Sequence, residues 1–360
     1  MAWHSSSNLC FLKLISYMMD LHWQRLGTGT QSKEVNSTQK HRERCEECTD
    51  EVECLKFRQE THGFDYSLLS FLAYFFYFPL YLAGPTLSYN AWRSQVEKPQ
   101  QTYSSRRLVL YALRLVLAIV LLELSMHFLC LPALANHPAN RKLFASLSAY
   151  ELAISSYCIL KWIWLKFLVI WRFFRLWALC DGVEAPENMG RCMSDNYNFE
   201  GFWRMWHRAF NQWLVRYLFI PLGGARYKVY NVWAVFLFVA VWHDLSLHLL
   251  AWGWGMCLFI VPEVLGKAFI NQTRFAAFRQ TAAYNWVCAG SAAIYVMLMM
   301  VANLVGFSFG LEGLATLWRE ITEGEGVLLL GKCWLLITIC IHILFAWRRV
   351  EGKFGYGKGY

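Results

Sequence analysis

The sequence predicts an all-α, polytopic membrane protein built as a helical bundle. Three observations carry this prediction. First, the chain of 360 residues is 57% hydrophobic and only 16% charged, whereas soluble domains carry roughly 25% charged residues. Second, its apolar residues are gathered in blocks that approach or exceed the roughly 20 residues of one membrane span. Third, basic pairs flank several blocks, as juxtamembrane anchors do. These pairs are Arg106/Arg107, Arg141/Lys142, Arg226/Lys228 and Arg348/Arg349.

Membrane anchoring also accounts for the formal net charge of +9. A nucleic-acid-binding protein would gather its Lys and Arg residues on a soluble domain. The basic residues of this chain instead stand at the ends of apolar blocks. We therefore predict a membrane protein that binds no nucleic acid.

Six apolar blocks predict about six to eight membrane segments. The blocks are residues 68–87, 108–131, 147–180, 230–261, 281–309 and 327–347. Blocks 147–180 and 230–261 are too long for one upright span, so each is predicted to be tilted, broken or double. A straight helix over 230–261 would be about 48 Å long against a hydrocarbon core of roughly 30 Å. We predict a break near His243, either buried or lining a cavity.

Polar segments divide the rest of the chain. The predicted sections are an N-terminal segment (1–26), a polar and largely unstructured loop (27–63), a membrane domain (64–350) and a polar tail (351–360). The loop contains His41, Cys45, Cys48 and Cys54, which are residue types that bind zinc. Their spacing matches no familiar closed zinc site. Three thiols in a loop are the preferred interpretation, and no metal site is predicted.

The block 230–261 contains an unusual group of titratable residues. Between its ends, Asp244 is the single formally charged residue, and His243 and His248 are the two imidazoles. Titratable side chains within membrane-like segments are costly, and are therefore functional candidates by default. The alternative for His243 is a buried packing histidine. For His248, which is four residues after Asp244, an intrahelical pair is the simpler interpretation.

Residues 201–224, GFWRMWHRAFNQWLVRYLFIPLGG, predict an amphipathic helix in or near the membrane interface. Its apolar face comprises Trp203, Trp206, Phe210, Trp213, Leu214 and Tyr217. Its polar face comprises Arg204, Arg208, Asn211, Gln212 and Arg216. His207 falls at the edge between the faces, where an interfacial histidine is the alternative to a site residue. Because His207 and His243 lie in adjoining segments, a shared site is the preferred interpretation.

These motifs resemble one family. FWRMWHRAFNQWLVRYLFIPLGG followed by VWHD resembles the membrane-bound O-acyltransferase (MBOAT) family. EAPENMGRCMSDNYNFEGFWRMWH and YLAGPTLSYNAW look more narrowly like its glycerol-uptake-protein branch, next to hedgehog acyltransferases. With LISYMMDLHW near the start, the resemblance covers about residues 14–347. It implies a helical bundle around a reaction chamber, in which acyl-CoA is a co-substrate and no cofactor is needed.

The resemblance also implies roles for the histidines. His243 matches the buried histidine of the family, and His207 matches a second polar position that members fill with Asn, His or Asp. We expect His243 to act as general base on an acceptor hydroxyl, while His207 positions the thioester or acceptor and polarises the carbonyl. Weaker candidates for the acyl-CoA pocket are Arg204, Arg208, Asn211, Trp242 and Asp244. Candidates for the CoA phosphates, with headgroup anchoring as the alternative, are Arg204, Arg208, Arg216, Arg226 and Lys228.

The function implied is acyl transfer from acyl-CoA to a lipid-linked acceptor. Branch resemblance points to remodelling of glycosylphosphatidylinositol (GPI) anchors by a multi-pass protein of the endoplasmic reticulum. The alternatives are a glycerol or polyol transport-related protein and a non-catalytic relative. No internal repeat of the kind frequent in transporters is visible, which favours the enzyme. The resemblance also implies spans ahead of LISYMMD that this sequence does not contain, and we therefore expect a truncated isoform, a fragment or an incomplete gene model.

Overall fold

Helices dominate the computed structural model, which describes residues 3–26, 54–60, 63–130, 146–244 and 246–354. Within these residues, the extended pairing is limited to one isolated antiparallel bridge between Met189 and Trp206. The all-α prediction is confirmed. The α-helices are α1 (Trp3–Arg25), α2 (Leu55–Glu60), α3 (Leu68–Phe75), α4 (Phe78–Leu82), α5 (Tyr89–Glu97), α6 (Ser105–Leu129), α7 (Ala149–Cys180), α8 (Phe199–Met205), α9 (Arg208–Leu214), α10 (Lys228–His243), α11 (Leu247–Ile270), α12 (Ala276–Arg279), α13 (Ala282–Leu304), α14 (Gly310–Thr322) and α15 (Glu325–Lys353).

Five helices of the described chain are long and apolar enough to cross a membrane. They are Ser105–Leu129, Ala149–Cys180, Leu249–Ile270, Ala282–Ser308 and Glu325–Lys353. Block 68–87, predicted as a membrane segment, instead forms the short helices α3 and α4. The physical reason is Pro79 in the first turn of α4, where a proline starts a helix but cannot continue a preceding one.

Helix α7 is continuous over 32 residues, so block 147–180 is neither broken nor double. It begins with a capping box in which Ser148 and Glu151 exchange side-chain and backbone hydrogen bonds. At 1.5 Å per residue it is about 48 Å long, which exceeds a hydrocarbon core of roughly 30 Å. The helix must therefore be tilted or extend beyond the core. It packs against α6, while α13 packs against α15 and α10 against α11.

Block 230–261 is broken next to His243, as predicted. Helix α10 ends at His243 and α11 begins at Leu247. Asp244 lies between them with extended backbone angles (φ −176°, ψ 150°). Its predicted helical pairing with His248 is therefore wrong, because the two residues do not share a helix. The two helices approach closely at Gly253, where an added Cβ would lie 3.2 Å from the Ala240 Cβ.

The single amphipathic helix predicted over 201–224 is wrong. The segment forms α8, a break at Trp206 and His207, α9, and then a π-helical turn over Val215–Phe219. Its aromatic face is largely buried in the main core cluster, where Phe210 and Trp213 pack near Phe236 of α10 and Trp252 of α11. The aromatic face of the segment thus packs into the bundle, while Arg204, Val215 and Ile220 are exposed.

Part of the polar segment 27–63 has regular structure. Residues 55–60 form α2, and Arg58 is buried and donates to the Lys98 carbonyl at 2.9 Å. His41, Cys45 and Cys48 lie outside the described residues. Among the residues that are described, no three His, Cys, Asp or Glu side chains are arranged to hold a metal ion.

Candidate active site

A cavity of about 300 Å³ lies between several helices of the bundle. Its wall comes from α1, α4, α7, α8, α10, α11 and α13, and from the π-helical segment Val305–Phe309 after α13. Aromatic rings predominate in the lining, and Trp203, Trp252 and Phe307 are among them. Within the described chain, His207 and His243 are the only titratable side chains that line this cavity. A pocket of this kind accepts an apolar group and offers it two imidazoles.

His207 reaches the cavity from the break between α8 and α9. Its backbone is left-handed (φ 49°, ψ 47°), a conformation that is uncommon for residues other than glycine. The imidazole stacks on Trp171 with ring centroids 4.4 Å apart and an interplanar angle of 19°. Burial, followed by the neighbouring His243, lowers the pKa of His207 to about 3. The ring is therefore neutral at physiological pH.

His243 is the last residue of α10. Its ring meets Trp252 edge to face at 6.1 Å and Phe307 at 5.7 Å between centroids. The residue keeps accessible surface, in contrast to the buried histidine that the sequence indicated, and it lines the cavity. The protein atoms packed around the ring disfavour its charged form, and this desolvation lowers the pKa of His243 to about 4. A neutral imidazole that faces an apolar cavity can accept a proton from a bound substrate.

Trp242 is close to both histidines. Its ring lies 6.1 Å from the His207 ring and 4.9 Å from the His243 ring, centroid to centroid. It stacks on Phe210 at 4.4 Å. Its Nε1 donates to the Asn8 carbonyl at 3.1 Å, and the Asn8 Nδ2 donates back to the Trp242 carbonyl. Helix α1 thus holds the end of α10 that carries His243.

Of the weaker candidates for the acyl-CoA pocket, Trp242 lines this cavity. Arg204, Arg208, Asn211 and Asp244 do not. Arg204 is exposed and pairs with Glu200 at 2.9 Å. Asp244 is also exposed and extended in the break after α10.

Like Arg204, two further basic residues predicted for the CoA phosphates pair with carboxylates. Arg216 turns inward and bonds to the buried Asp20 at 3.2 Å. Lys228 pairs with Glu200 at 3.4 Å. The Arg216 guanidinium therefore already has a carboxylate partner inside the bundle, and its contact with CoA stays a prediction.

Asparagines near the cavity were missed at the sequence level. Asn8 and Asn303 both line it. The Asn303 Oδ1 accepts from Trp252 Nε1 at 3.2 Å. An indole N–H can only donate, so the contact fixes which end of the Asn303 amide faces Trp252. The lone amide within VMLMMVANLVGF was the available sequence signal.

Comparison with known proteins relates this site to one family. The sequence model of the membrane-bound O-acyltransferase family matches residues 3–309. "Membrane-bound O-acyltransferase gup1" of Schizosaccharomyces pombe is 38% identical over 87% of this chain and 52% of its own length. "Membrane-bound O-acyltransferase GUP1" of Saccharomyces cerevisiae is 35% identical over 98% of this chain and 61% of its own length. Mouse (Mus musculus) "Protein-cysteine N-palmitoyltransferase HHAT" is 26% identical over 80% of this chain and 58% of its own length. The chain thus spans between about half and three fifths of the length of these relatives.

Proposed function

Because the chain belongs to the membrane-bound O-acyltransferase family, we propose that it transfers a fatty acyl group from acyl-CoA to a hydroxyl of a lipid-linked acceptor. The proposed setting is remodelling of GPI-anchor lipids in the endoplasmic reticulum membrane. The observation that carries the proposal is the pair of neutral imidazoles, His207 and His243, on one apolar cavity.

In the proposed reaction His243 is the general base. The neutral ring takes the proton of the acceptor hydroxyl as the oxygen attacks the thioester carbonyl carbon. The C–S bond then breaks, and the proton passes to the departing CoA sulfur. His207 orients the thioester and donates toward the carbonyl oxygen, where negative charge develops. Both roles need uncharged imidazoles, which the lowered pKa values of the two residues provide.

The lining supports an acyl chain as the group that enters the cavity. Aromatic side chains such as Trp203, Trp206 and Phe167 form much of its wall. No Lys or Arg of the described chain lines it, so the CoA phosphates would remain outside. No cofactor is invoked, because proton transfer and carbonyl polarisation are within the chemistry of imidazole.

The proposal is tested by removing the base. The full chain would be purified into lipid nanodiscs and mixed with long-chain acyl-CoA and a lyso-GPI acceptor, and CoA thiol release and acylated lipid would be measured. His243→Ala is expected to lower turnover about 10²–10⁴-fold. The matched control is His342→Ala, since His342 stacks on Trp286 between α13 and α15 and does not line the cavity. Its turnover should stay near that of the wild type.

Three results would overturn parts of the proposal. Wild-type turnover by His243→Ala would remove His243 from the chemistry. Equal losses of turnover in His243→Ala and in the control His342→Ala would indicate a general loss of folded protein. Labelled-glycerol flux through vesicles without thiol release would support the polyol carrier instead.

A further inference from the structure

The N-terminus of α9 has no cap of its own. The first N–H groups of a helix need acceptors from outside the helix, and the N-cap side chain usually supplies one. Here the N-cap is His207, and its side chain makes no capping hydrogen bond. Its imidazole stacks on Trp171 and lines the cavity instead.

Asn188 supplies the missing acceptors. Its side-chain Oδ1 accepts from the Ala209 N–H at 3.0 Å, and its backbone carbonyl accepts from the Arg208 N–H at 3.0 Å. The residue is completely buried. A backbone N–H can only donate, so the amide atom that faces Ala209 must be the oxygen. The Nδ2 is then buried and, in the part of the chain that the structure describes, has no acceptor.

The neighbours of Asn188 hold the same break open. Met189 forms the isolated bridge with Trp206, and the Gly190 N–H donates to the Met205 carbonyl at 3.1 Å. We call residues 188–190 the α9 clamp. Through these bonds the clamp takes the place of the intrahelical bonds that a continuous helix through Trp206 would make. It thereby stabilises the left-handed backbone of His207.

The α9 clamp is itself anchored to α7. Glu187, the residue before it, lies 3.5 Å from Arg172 and 3.7 Å from Arg175, atom to atom. Arg175 is buried and also donates to the Ala185 carbonyl at 2.7 Å. Trp171, on which the His207 ring stacks, is one residue before Arg172 on α7. One helix therefore fixes both the ring of His207 and the segment that shapes its backbone.

We propose that Asn188 is a positioning residue for acyl transfer, which caps α9 so that the His207 side chain is free to face the cavity. The proposal rests on the proposed function. It goes beyond it by assigning a role to a residue in the ENMG sequence that touches neither the cavity nor a substrate. Loss of the cap would let His207 rotate toward the uncapped N–H groups or let the break close into a helix. Either change would move the imidazole away from the thioester.

The test compares two substitutions of Asn188 in the full chain. Asn188→Leu keeps the volume but removes the acceptor, and a displacement of about 1 Å at a reacting group can cost about 10²-fold in rate. Asn188→Asp keeps an oxygen toward Ala209, and should retain turnover within about tenfold of the wild type. Asn231→Leu is the matched control, because Asn231 is also buried but donates to the Gly224 carbonyl, away from His207. Wild-type turnover by Asn188→Leu, or equal losses in the Leu and Asp variants, would overturn the proposal.

A double-mutant cycle separates positioning from general stability. If Asn188 acts through His207, adding Asn188→Leu to His207→Ala should cause little further loss of turnover. Multiplied losses would mean that Asn188 acts independently of His207, and the proposal would fail. Should Asn188→Leu not fold, Asn188→Ala takes its place in the cycle.

A measurement without catalysis keeps this inference distinct from the proposed function. Diethyl pyrocarbonate labels histidines, and mass spectrometry reports the ratio of His207 to His243 labelling. Asn188→Leu should change this ratio, whereas Asn231→Leu should leave it unchanged. An unchanged ratio in Asn188→Leu overturns the positioning role. An inactive wild type with a changed ratio would remove the proposed function and leave the role of Asn188 as a cap in place.

Discussion

Asp20 on α1 forms a buried polar centre whose removal has a calculable cost. Its carboxylate is fully buried. It accepts from the Arg216 Nη2 at 3.2 Å, the Tyr217 hydroxyl at 3.0 Å and the Asn90 N–H at 3.3 Å. Three separate parts of the chain thus meet at one side chain. Asp20→Leu should destabilise the protein without direct contact with the cavity, which Asp20 does not line.

The magnitude follows from what remains after the substitution. Arg216 keeps its bond to the Gln59 carbonyl at 2.8 Å and its position over the Trp23 ring, but its charge loses the carboxylate. Breaking a buried ion pair by removing one partner costs about 3–5 kcal/mol. At about 2 °C per kcal/mol for a chain of this size, the midpoint of thermal unfolding should fall by about 6–10 °C.

The assay is thermal unfolding in detergent, followed by tryptophan fluorescence, together with turnover measured well below the midpoint. Glu97→Gln is the matched control, because Glu97 pairs with Arg93 at 3.3 Å but is 51% exposed. An exposed pair contributes about 0–1 kcal/mol, so this variant should unfold near the wild-type midpoint. The double variant Asp20→Leu/Arg216→Met should recover part of the lost stability, because it leaves no unpaired buried charge.

Two results would refute this reasoning. An Asp20→Leu midpoint within about 2 °C of the wild type would mean that the pair contributes no more than an exposed one. The double variant is expected to be more stable than Asp20→Leu. If it were instead less stable by a further loss of about 3–5 kcal/mol, Arg216 would stabilise the protein independently of Asp20.

Three further changes test the cavity. Gly306→Ala would place a Cβ 2.7 Å from Cδ1 of Trp252; the displaced ring should lower kcat about tenfold, and wild-type kcat would contradict the geometry. Asn8→Ala removes the amide donor to the Trp242 carbonyl; kcat should fall while KM for acyl-CoA changes little, and an unchanged kcat would exclude a role in holding α10. Because only a neutral His243 is a base and its pKa is lowered to about 4, turnover should be constant from about pH 6 to 8 and fall only near pH 4; a midpoint near 6.5, the ordinary histidine value, would contradict this.

The long membrane helices could be predicted from the sequence, because their positions depend on the length and hydrophobicity of apolar runs. Spans such as Ser105–Leu129 and Glu325–Lys353 carry long apolar runs, and only a helix satisfies their backbone in lipid. The break next to His243 was predicted from the length of 230–261 together with the titratable residues at its centre. Length alone does not decide, because the comparably long helix α7 is continuous. The prediction of a membrane segment over 68–87 was wrong because it considered only the apolar content of the block. Pro79 starts a new helix there and ends the continuity that a span needs.

The pairing of His207 with His243 could be predicted, but the way His207 reaches the cavity could not. Helical periodicity treats residues 201–224 as one helix, because it counts only neighbours along the chain. The break at His207 depends on hydrogen bonds from residues 188–190, which are local in space but belong to another segment. The burial of Arg216 was missed for the same reason, because its partner Asp20 lies 196 positions away.

The break at His207 also explains why an aromatic-rich segment is needed at this place. A helix that continued through Trp206 would satisfy its own backbone, and His207 would take the direction set by its place on that helix. Interrupting the helix instead leaves N–H groups that must be satisfied inside the bundle, where water is scarce. Asn188 of the α9 clamp accepts from the N–H groups of Arg208 and Ala209. The rings of Trp171 and Phe210 pack against the imidazole of His207. The cost of the left-handed backbone is thereby offset by stacking and capping, which direct the histidine to the cavity.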